Sequence, residues 1–304
     1  MKYKKQFEDK GFVVIENLLK KNQLKKLRDI INNHFNNVDK RMETLSFFEK
    51  NSDLYSLQFN KDIIKICKEI FGEKFVINNS IQIQYNMFGI NDKYLGWHID
   101  CGHEYSSSNY NHLYNKNYRF AKIGIYLQDN TEDFGGGIDV INKSHKVFKL
   151  KSKFLTRIYF RILLYYLKSV KPHKYTLNTK AGDAVIFDSR LMHRSTINLK
   201  TKSDTTGALR NYNHDFENSK ISIYWSMGNK FSDEYFKQDM IERANEEFSQ
   251  KPEEVIYNEY LSFYYPDSYS NKYLFNIKKN NLIVSSLDKK QSIIYKNRLE
   301  NEKL

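Results

Sequence analysis

The chain has 304 residues, 40% of them hydrophobic and 15% aromatic, a composition that suits a globular fold with a full core. Its formal net charge of +13 predicts anionic partners, which include an acidic small substrate, a membrane surface and nucleic acid. Nucleic acid is not expected, because the sequence has no zinc-finger spacing, RNA-recognition signature or arginine-rich tail.

The small number of cysteines and the absence of long apolar runs indicate the cellular compartment in which the protein is expected. Cys67 and Cys101 give no disulfide framework, which favours a reducing environment. We see no signal peptide and no apolar run of the roughly 20 residues that a membrane-spanning helix needs. A cytoplasmic protein is therefore expected, with peripheral contact at a membrane as an added option.

Two helices are predicted in the first quarter of the chain. One covers about residues 21–35, where apolar side chains recur at helical spacing. The other covers residues 63–70 and stops at Gly72, since glycine often ends a helix by adopting a left-handed backbone without strain. Both helices are expected to flank the core of the fold.

A strand is predicted over residues 75–88. Apolar residues at 81, 83 and 85 alternate with Gln82, Gln84 and Asn86, so one face is apolar and the other polar. The polar face either enters a wet pocket or meets solvent, and the alternation favours neither arrangement.

A metal site is predicted from two segments that are distant in the sequence. In an extended strand, His98 and Asp100 project to the same side and can bind one ion. His193 follows a strand-like run at residues 184–187 that would return it to the core, so it is the best candidate for a third ligand. Two imidazoles and one carboxylate match the arrangement of non-haem Fe(II) oxygenases.

The segment after the His98 motif is polar and too irregular for a strand. It runs from Cys101 to Tyr118 and is a candidate lid over the metal site. His103 and His112 lie within it and are rival ligands.

Further segments surround these candidate ligands in a fixed order. They are a strand-like run at 11–19, a central strand at 122–129, a glycine-rich turn at 135–137 that continues to Ser144-His145-Lys146, the run 181–187, and the stretch from His193 to Asn198. In this order they resemble the phytanoyl-CoA dioxygenase-like (PhyH) family of Fe(II)- and 2-oxoglutarate-dependent oxygenases, over about residues 5–228. His145 is interpreted as structural.

The resemblance implies the fold, the cofactors and the reaction. The fold would be mainly β with flanking helices, a cupin-like double-stranded β-helix or jelly-roll. One domain would cover residues 1–304, with a core at about 5–228 and a helical C-terminal extension at 229–304. His98, Asp100 and His193 would hold Fe(II), with 2-oxoglutarate as co-substrate and O2 as oxidant, and the outcome would be hydroxylation of a C–H bond.

The sequence departs from the family at the co-substrate site. The arginine that the family places about a dozen residues after the last metal histidine, to hold the far carboxylate of 2-oxoglutarate, is absent. Lys220 and Ser222 share one face of a predicted strand and resemble Arg-x-Ser with lysine substituted, although lysine lacks the bidentate fork of arginine. Ser195 and Gln84 complete the predicted set. Arg210 and Arg194 are alternative partners for the distal carboxylate, and Lys220 could instead be a solvated strand end.

Residues 146–174 carry many basic residues and no acidic residue. Drawn as a helix, the segment places Arg157, Arg161 and Lys168 on one narrow stripe and covers the rest with apolar side chains. One interpretation is a helix outside the barrel with its basic stripe in water. The others are an interfacial helix that touches anionic lipid, and a gate over a substrate with an acyl chain and an acidic head.

The substrate is therefore expected to be small and anionic, with a lipid-linked or acyl-containing part as an option. Two other functions stay open. A Zn(II) hydrolase could use the same three ligands, and a non-catalytic jelly-roll could bind an acidic ligand or a membrane surface. The oligomeric state is left open.

Overall fold

The structure, a computed structural model, is a double-stranded β-helix in which two sheets face each other. It describes residues 2–37, 42–43, 45–87, 97–100, 112–131, 134–169, 174–197, 219–235, 237 and 270–285. Side chains of both sheets form one buried cluster, to which the larger sheet contributes Tyr126 and Phe187 and the smaller sheet Ile138 and Val140. The predicted fold class is thereby confirmed.

The larger sheet has the strand order β1-β7-β4-β9-β3-β10, with β2 paired to β3 at one side. Its strands are β1 (Phe12–Ile15), β2 (Met42–Glu43), β3 (Val76–Tyr85), β4 (Phe120–Tyr126), β7 (Ala184–Asp188), β9 (Ile221–Gly228) and β10 (Ile283–Val284). Neighbouring strands run antiparallel, except that β10 is parallel to β3. Every residue of β7 and β9 is buried, because helices cover one face of this sheet and the smaller sheet covers the other.

The smaller sheet has the strand order β6-β5-β8. Its strands are β5 (Ile138–Ile141), β6 (Lys174–Leu177) and β8 (His193–Ser195), and both neighbours of β5 are antiparallel to it. A short segment, residues 97–100, lies on the other side of β8 and is joined to it by the bridge between His98 and His193. Of the three predicted metal ligands, His193 therefore lies on the smaller sheet, and His98 and Asp100 lie in the segment that is bridged to it.

The helices are α1 (Lys2–Lys10), α2 (Lys21–Phe35), α3 (Leu45–Lys50), α4 (Ser52–Tyr55), α5 (Lys61–Phe71), α6 (Lys153–Ser169) and α7 (Asn271–Lys279). Buried faces of α2 and α5 pack against the larger sheet through side chains such as Ile31 and Ile66. Both predicted helices are thus confirmed, and α5 ends at Gly72, whose φ is +103°. Within the described ranges, no helix is long and apolar enough to cross a membrane.

The opening strand is shorter than the predicted run 11–19, since β1 covers only residues 12–15. Gly11 precedes it with a φ of +88°, a left-handed conformation that glycine adopts readily, and Asn17 follows with a φ of +53°. A side chain at position 11 would meet His145 and Leu191 at less than 3 Å. The turn at Gly11 therefore packs directly against the segment that leads into β8.

The C-terminal extension contributes structure to the core where it is described. Tyr273 of α7 is fully buried, packs near Tyr55 and Phe59, and donates a hydrogen bond to Gln58. The strand β10 extends the larger sheet through β3. Residues 238–269 and 286–304 of the extension lie outside the described residues.

Candidate metal centre

The two histidines of the predicted site face each other across a pair of backbone hydrogen bonds. The amide of His98 donates to the carbonyl of His193 and the amide of His193 donates to the carbonyl of His98, each at 2.9 Å. Directly opposed residues of an antiparallel pair place their side chains on the same face. The two imidazole rings accordingly lie 4.4 Å apart between centroids.

Asp100 completes the cluster from the same side. It lies two residues beyond His98, so the alternation of an extended chain returns its side chain to the same face, and its amide donates to the carbonyl of Ser189 at 2.8 Å. Its carboxylate oxygens lie 3.6 Å from Nε2 of His98 and 3.7 Å from Nε2 of His193. The ligand atoms of all three residues lie within 4.8 Å of one another, as a shared metal ion requires.

The hydrogen bonds of His193 fix which of its nitrogens can bind a metal. Nδ1 lies 2.8 Å from the carbonyl oxygen of Leu191, which can only accept, so Nδ1 carries the proton and Nε2 carries a lone pair. Metal-bound histidines commonly donate their other nitrogen to a backbone carbonyl in this way. Burial lowers the pKa of His193 to about 4, outweighing the attraction of Asp100, so the ring is neutral at neutral pH.

The carboxylate of Asp100 is held in its charged form. Burial alone would raise its pKa, but the ammonium group of Lys122, with smaller contributions from the two histidines, keeps the pKa of this carboxyl well below its usual range. Within the described part of the chain, its Oδ2 atom is buried and accepts no hydrogen bond. A lone pair of His193 therefore faces an anionic oxygen that accepts no hydrogen bond, although Lys122 lies within ion-pair distance of it, and a metal cation between the ring and the carboxylate would bind both.

The metal cluster borders a cavity of about 240 Å³. Its lining includes polar side chains from both sheets, which are Gln82, Gln84, His98, Asp100, Lys122, His193, Arg194, Ser195 and Tyr224. The polar face of β3 thus points into the cavity, while Ile81, Ile83 and Tyr85 are buried on the opposite face. His98 is the most open of the ligands, with 53% of its side chain exposed.

Lys122 was not among the residues predicted from the sequence. It lies on β4, its Nζ atom is 3.5 Å from Oδ2 of Asp100, and only 20% of its side chain is exposed. It also lies 6.0 Å from the ring centroid of Tyr224. The signal available in the sequence is a single charge between the apolar residues of a central strand, which indicates a cation that the fold holds inside.

Lys220, the residue predicted to anchor 2-oxoglutarate, does not line this cavity. Its side chain is fully buried, and its ammonium group donates to the backbone carbonyl of Met87. The alternative of a solvated strand end is wrong, because the chain at Gly136 packs against the lysine stem and Asn86 accepts a hydrogen bond from the Lys220 amide. Ser222 is buried on the same strand and also lies outside the cavity lining.

The charge of Lys220 should appear in the pH dependence of stability. Burial lowers its pKa to about 7, whereas a lysine in an unfolded chain titrates near pH 10. Between these values the unfolded chain binds more protons, so the free energy of unfolding rises with pH in this window and is flat below it. From about pH 7 to about pH 10, denaturant titration should show wild type gaining on the order of 3 kcal/mol over Lys220→Met. Parallel pH profiles for the two proteins would contradict this.

Arg194 follows the metal ligand His193 and forms a buried network behind the site. Its Nε atom donates to Oδ2 of Asp139 at 3.1 Å, and its guanidinium lies 4.8 Å from the ring centroid of Trp97. The hydroxyl groups of Thr176 and Thr196 donate to the other oxygen of Asp139. The network therefore joins β5, β6, the β8 region and the 97–100 segment.

Some of the remaining predicted residues are described by the structure but do not line the cavity, and the others lie outside the described residues. His145 is buried with its Nε2 atom 3.2 Å from the carbonyl oxygen of Glu8, and His112 stacks on Tyr235. Arg157 and Arg161 lie on the exposed side of α6 and do not line the cavity. His103, Asn198, Arg210 and the side chain of Lys168 lie outside the described residues, as does most of the candidate lid.

Comparisons with known proteins identify a family from the sequence and similar folds among solved structures. The model of the phytanoyl-CoA dioxygenase (PhyH) family matches residues 7–203. No curated protein sequence matches the chain. Among solved structures, EctD from S. alaskensis with bound Fe matches with a TM-score of 0.52 and 16% identity, covering 75% of this chain and 76% of that chain. Apo HygX from Streptomyces hygroscopicus matches with a TM-score of 0.51 and 13% identity, covering 75% of this chain and 85% of that chain.

Proposed function

The chain belongs to the phytanoyl-CoA dioxygenase family, and from this premise we propose that it is an Fe(II)- and 2-oxoglutarate-dependent dioxygenase that hydroxylates a C–H bond of a small anionic substrate. The observation that carries the proposal is the cluster of His98, Asp100 and His193 beside a polar cavity, in which the Nε2 lone pair of His193 faces a carboxylate oxygen of Asp100 that accepts no hydrogen bond. The related fold of EctD was determined with bound Fe.

The three predicted ligands would hold the iron at the wall of the cavity. His98, Asp100 and His193 supply two neutral nitrogen donors and one negative charge, the donor set of the facial triad. When bound, the iron would activate O2, and 2-oxoglutarate would supply two of the electrons that O2 takes up as it is decarboxylated to succinate and CO2. The hydrogen bond from His193 to Leu191 and the backbone pair between the histidines keep both rings in position for the metal.

The cavity supplies groups that suit a dicarboxylic acid. Lys122 places a cation next to the metal ligands, and Gln84 and Ser195, two of the residues predicted to bind 2-oxoglutarate, offer hydrogen bonds from opposite sides. With a volume of about 240 Å³, the cavity lies at the small end of ligand sites. An anionic substrate is supported by the formal net charge of +13.

A Zn(II) hydrolase with the same ligands is less well supported. Such an enzyme uses a general base beside the metal-bound water. Among the described residues that line the cavity, Asp100 is the only carboxylate, and it is already a metal ligand. The described part of the site thus favours redox chemistry over hydrolysis.

The proposed function is tested by succinate formation. Anaerobically purified protein, loaded with Fe(II) and 2-oxoglutarate and then given O2, should form succinate even without the physiological substrate. Zn(II)-loaded protein is the matched control and should form none. If the iron-loaded protein neither forms succinate nor binds 2-oxoglutarate in an anaerobic calorimetric titration, the assignment is wrong and a non-catalytic binding role takes its place.

Two lysine variants identify the anchor of the distal carboxylate. We expect Lys122→Met to weaken 2-oxoglutarate binding by about 10- to 100-fold, because a charge-assisted hydrogen bond contributes about 1.5–3 kcal/mol. Lys220→Met should weaken binding less, since its ammonium group is bonded to Met87 away from the cavity. The probe is calorimetric titration with 2-oxoglutarate, compared with 2-oxopentanoate, which has the same chain length and no distal carboxylate.

The ligand comparison separates a carboxylate anchor from a general disturbance of the site. Lys122→Met should leave the affinity for 2-oxopentanoate within about twofold of wild type, because that ligand has no distal charge to lose. A larger loss in Lys220→Met that is confined to 2-oxoglutarate would restore Lys220 as the anchor.

A further inference from the structure

A patch of exposed apolar side chains is concentrated in one segment of the chain. Of nine large hydrophobic residues that are exposed within the described ranges, six lie between residues 150 and 175. They are Leu150, Phe154, Leu155, Ile158, Ile162 and Tyr175. Phe154 is 71% exposed and Leu150 is 55% exposed. Exposed apolar side chains on a protein surface usually occur singly, so this group is unusual. The five from Leu150 to Ile162, on α6 and just before it, are called the α6 face below.

The orientation of α6 is fixed by its other side. Thr156 and Phe160 are buried, and the ring of Phe160 packs 5.9 Å from that of Phe148 in the preceding 3₁₀ helix. Thr156 donates its hydroxyl hydrogen to the carbonyl of Ser152 at 2.9 Å. Since this side is already packed on the core, the apolar residues of the α6 face are held outward by the fold.

Basic residues border the α6 face on the helix and in front of it. At 100° per residue, Arg157 and Arg161 lie next to Phe154 on the exposed side, and both are exposed. Lys149 and Lys151 are exposed immediately before the helix. The sequence has no acidic residue from position 146 to position 182, so every formal charge on this stretch of the chain is positive.

We propose that the α6 face binds the surface of an anionic lipid bilayer, with the helix lying in the plane of the interface. Apolar side chains flanked by cations are the combination that inserts at the level of the lipid head groups, where apolar burial and attraction to anionic lipid add. A protein partner would be expected to meet a rim with charges of both signs and few lysines. The 17-residue helix carries Lys153, Arg157 and Arg161, so it lies on the membrane surface.

The proposal does not rest on the assigned reaction. It concerns a surface on the outside of the barrel, and none of its residues lines the cavity beside the metal cluster. Membrane binding can therefore be measured without turnover, and failure of one proposal leaves the other standing. If both hold, the enzyme works at a bilayer surface.

The test is flotation of the full-length protein with lipid vesicles. Vesicles of phosphatidylcholine with about one third phosphatidylglycerol should carry the protein, and pure phosphatidylcholine vesicles should carry at least about tenfold less. The double variant Phe154→Ser/Ile162→Ser should lower the partition constant by about 100-fold, from the loss of two inserted side chains. Arg157→Gln/Arg161→Gln should lower it by about 20- to 30-fold, at about 1 kcal/mol per charge.

Matched control variants come from two other helices, α7 and α2, and circular dichroism serves as a control for folding. Phe275→Ser removes a side chain that is 64% exposed on α7, and Lys21→Gln/Lys25→Gln removes two exposed charges from α2. Both should bind vesicles as wild type does. Circular dichroism of each variant verifies that the helical content is retained.

Three results would overturn the proposal. The first is wild-type protein that ignores anionic vesicles at low salt. The second is equal binding to neutral and anionic vesicles. The third is a concentration-dependent dimer that Phe154→Ser/Ile162→Ser dissociates while the vesicles are ignored, which would assign the α6 face to a second copy of the chain.

Discussion

Replacing Asp100 by asparagine is expected to lower the affinity for Fe(II) by at least about 100-fold and to abolish succinate formation. Asparagine has nearly the same volume, so the change removes the negative charge that faces the lone pair of His193 without opening a cavity. Anaerobic calorimetric titration of the metal-free protein with Fe(II) measures the first effect, and succinate analysis measures the second.

The control for this experiment is Asp129→Asn. Asp129 lies in the loop after β4, where its carboxylate accepts a hydrogen bond from the amide of Ala181 at 2.7 Å, away from the cavity. It should bind Fe(II) as wild type does. Wild-type Fe(II) affinity in Asp100→Asn would show that the three residues do not form a metal site.

A second large effect is expected at the ion pair behind the site. Asp139→Asn should lower the free energy of unfolding by about 3–5 kcal/mol, the loss seen when one member of a buried pair is removed. Asp139 is completely buried and accepts hydrogen bonds from Arg194, Thr176 and Thr196, so the change leaves the guanidinium without its counter-charge inside the protein. Denaturant titration measures the difference.

An exposed pair serves as the comparison for Asp139. Asp53 pairs with Lys26 at 2.9 Å, but 63% of the lysine side chain and 37% of the aspartate side chain are exposed. Solvent screens this pair, so Asp53→Asn should cost less than about 1 kcal/mol. Equal stability losses in the two variants would mean that the Arg194–Asp139 pair gains nothing from burial.

Local patterns were sufficient to predict the elements whose structure depends on near neighbours. The apolar spacing from Leu24 to Phe35 gave α2 with the observed bounds, and Gly72 ended α5 as expected. His98 and Asp100 could be paired because residues two positions apart in an extended segment project to the same face. The order of the family segments then supplied the double-stranded β-helix and the place of His193.

The features that depend on distant packing were not predictable in the same way. The sequence predicts Lys220 as an anchor for 2-oxoglutarate or as a solvated strand end, because nothing near it in the sequence shows that Gly136 and Asn86 close around it. Lys122 enters the site only because β4 lies between β7 and β9, a neighbourhood set by the whole sheet. The glutamines of β3 point into the cavity because α2 and α3 cover the opposite face, a choice that alternation alone leaves open.

The bridge between His98 and His193 also bears on the order of events when a newly made chain acquires iron. The two histidines meet only after the 97–100 segment has paired with β8, so an unfolded chain brings together at most His98 and Asp100. A site with all three ligands therefore forms only once the 97–100 segment has paired with β8. Since the metal binds the native state far better than the unfolded one, each iron captured draws the folding equilibrium towards the finished barrel. A nascent chain would not sequester the cell's free iron, and a chain that failed to close would release it.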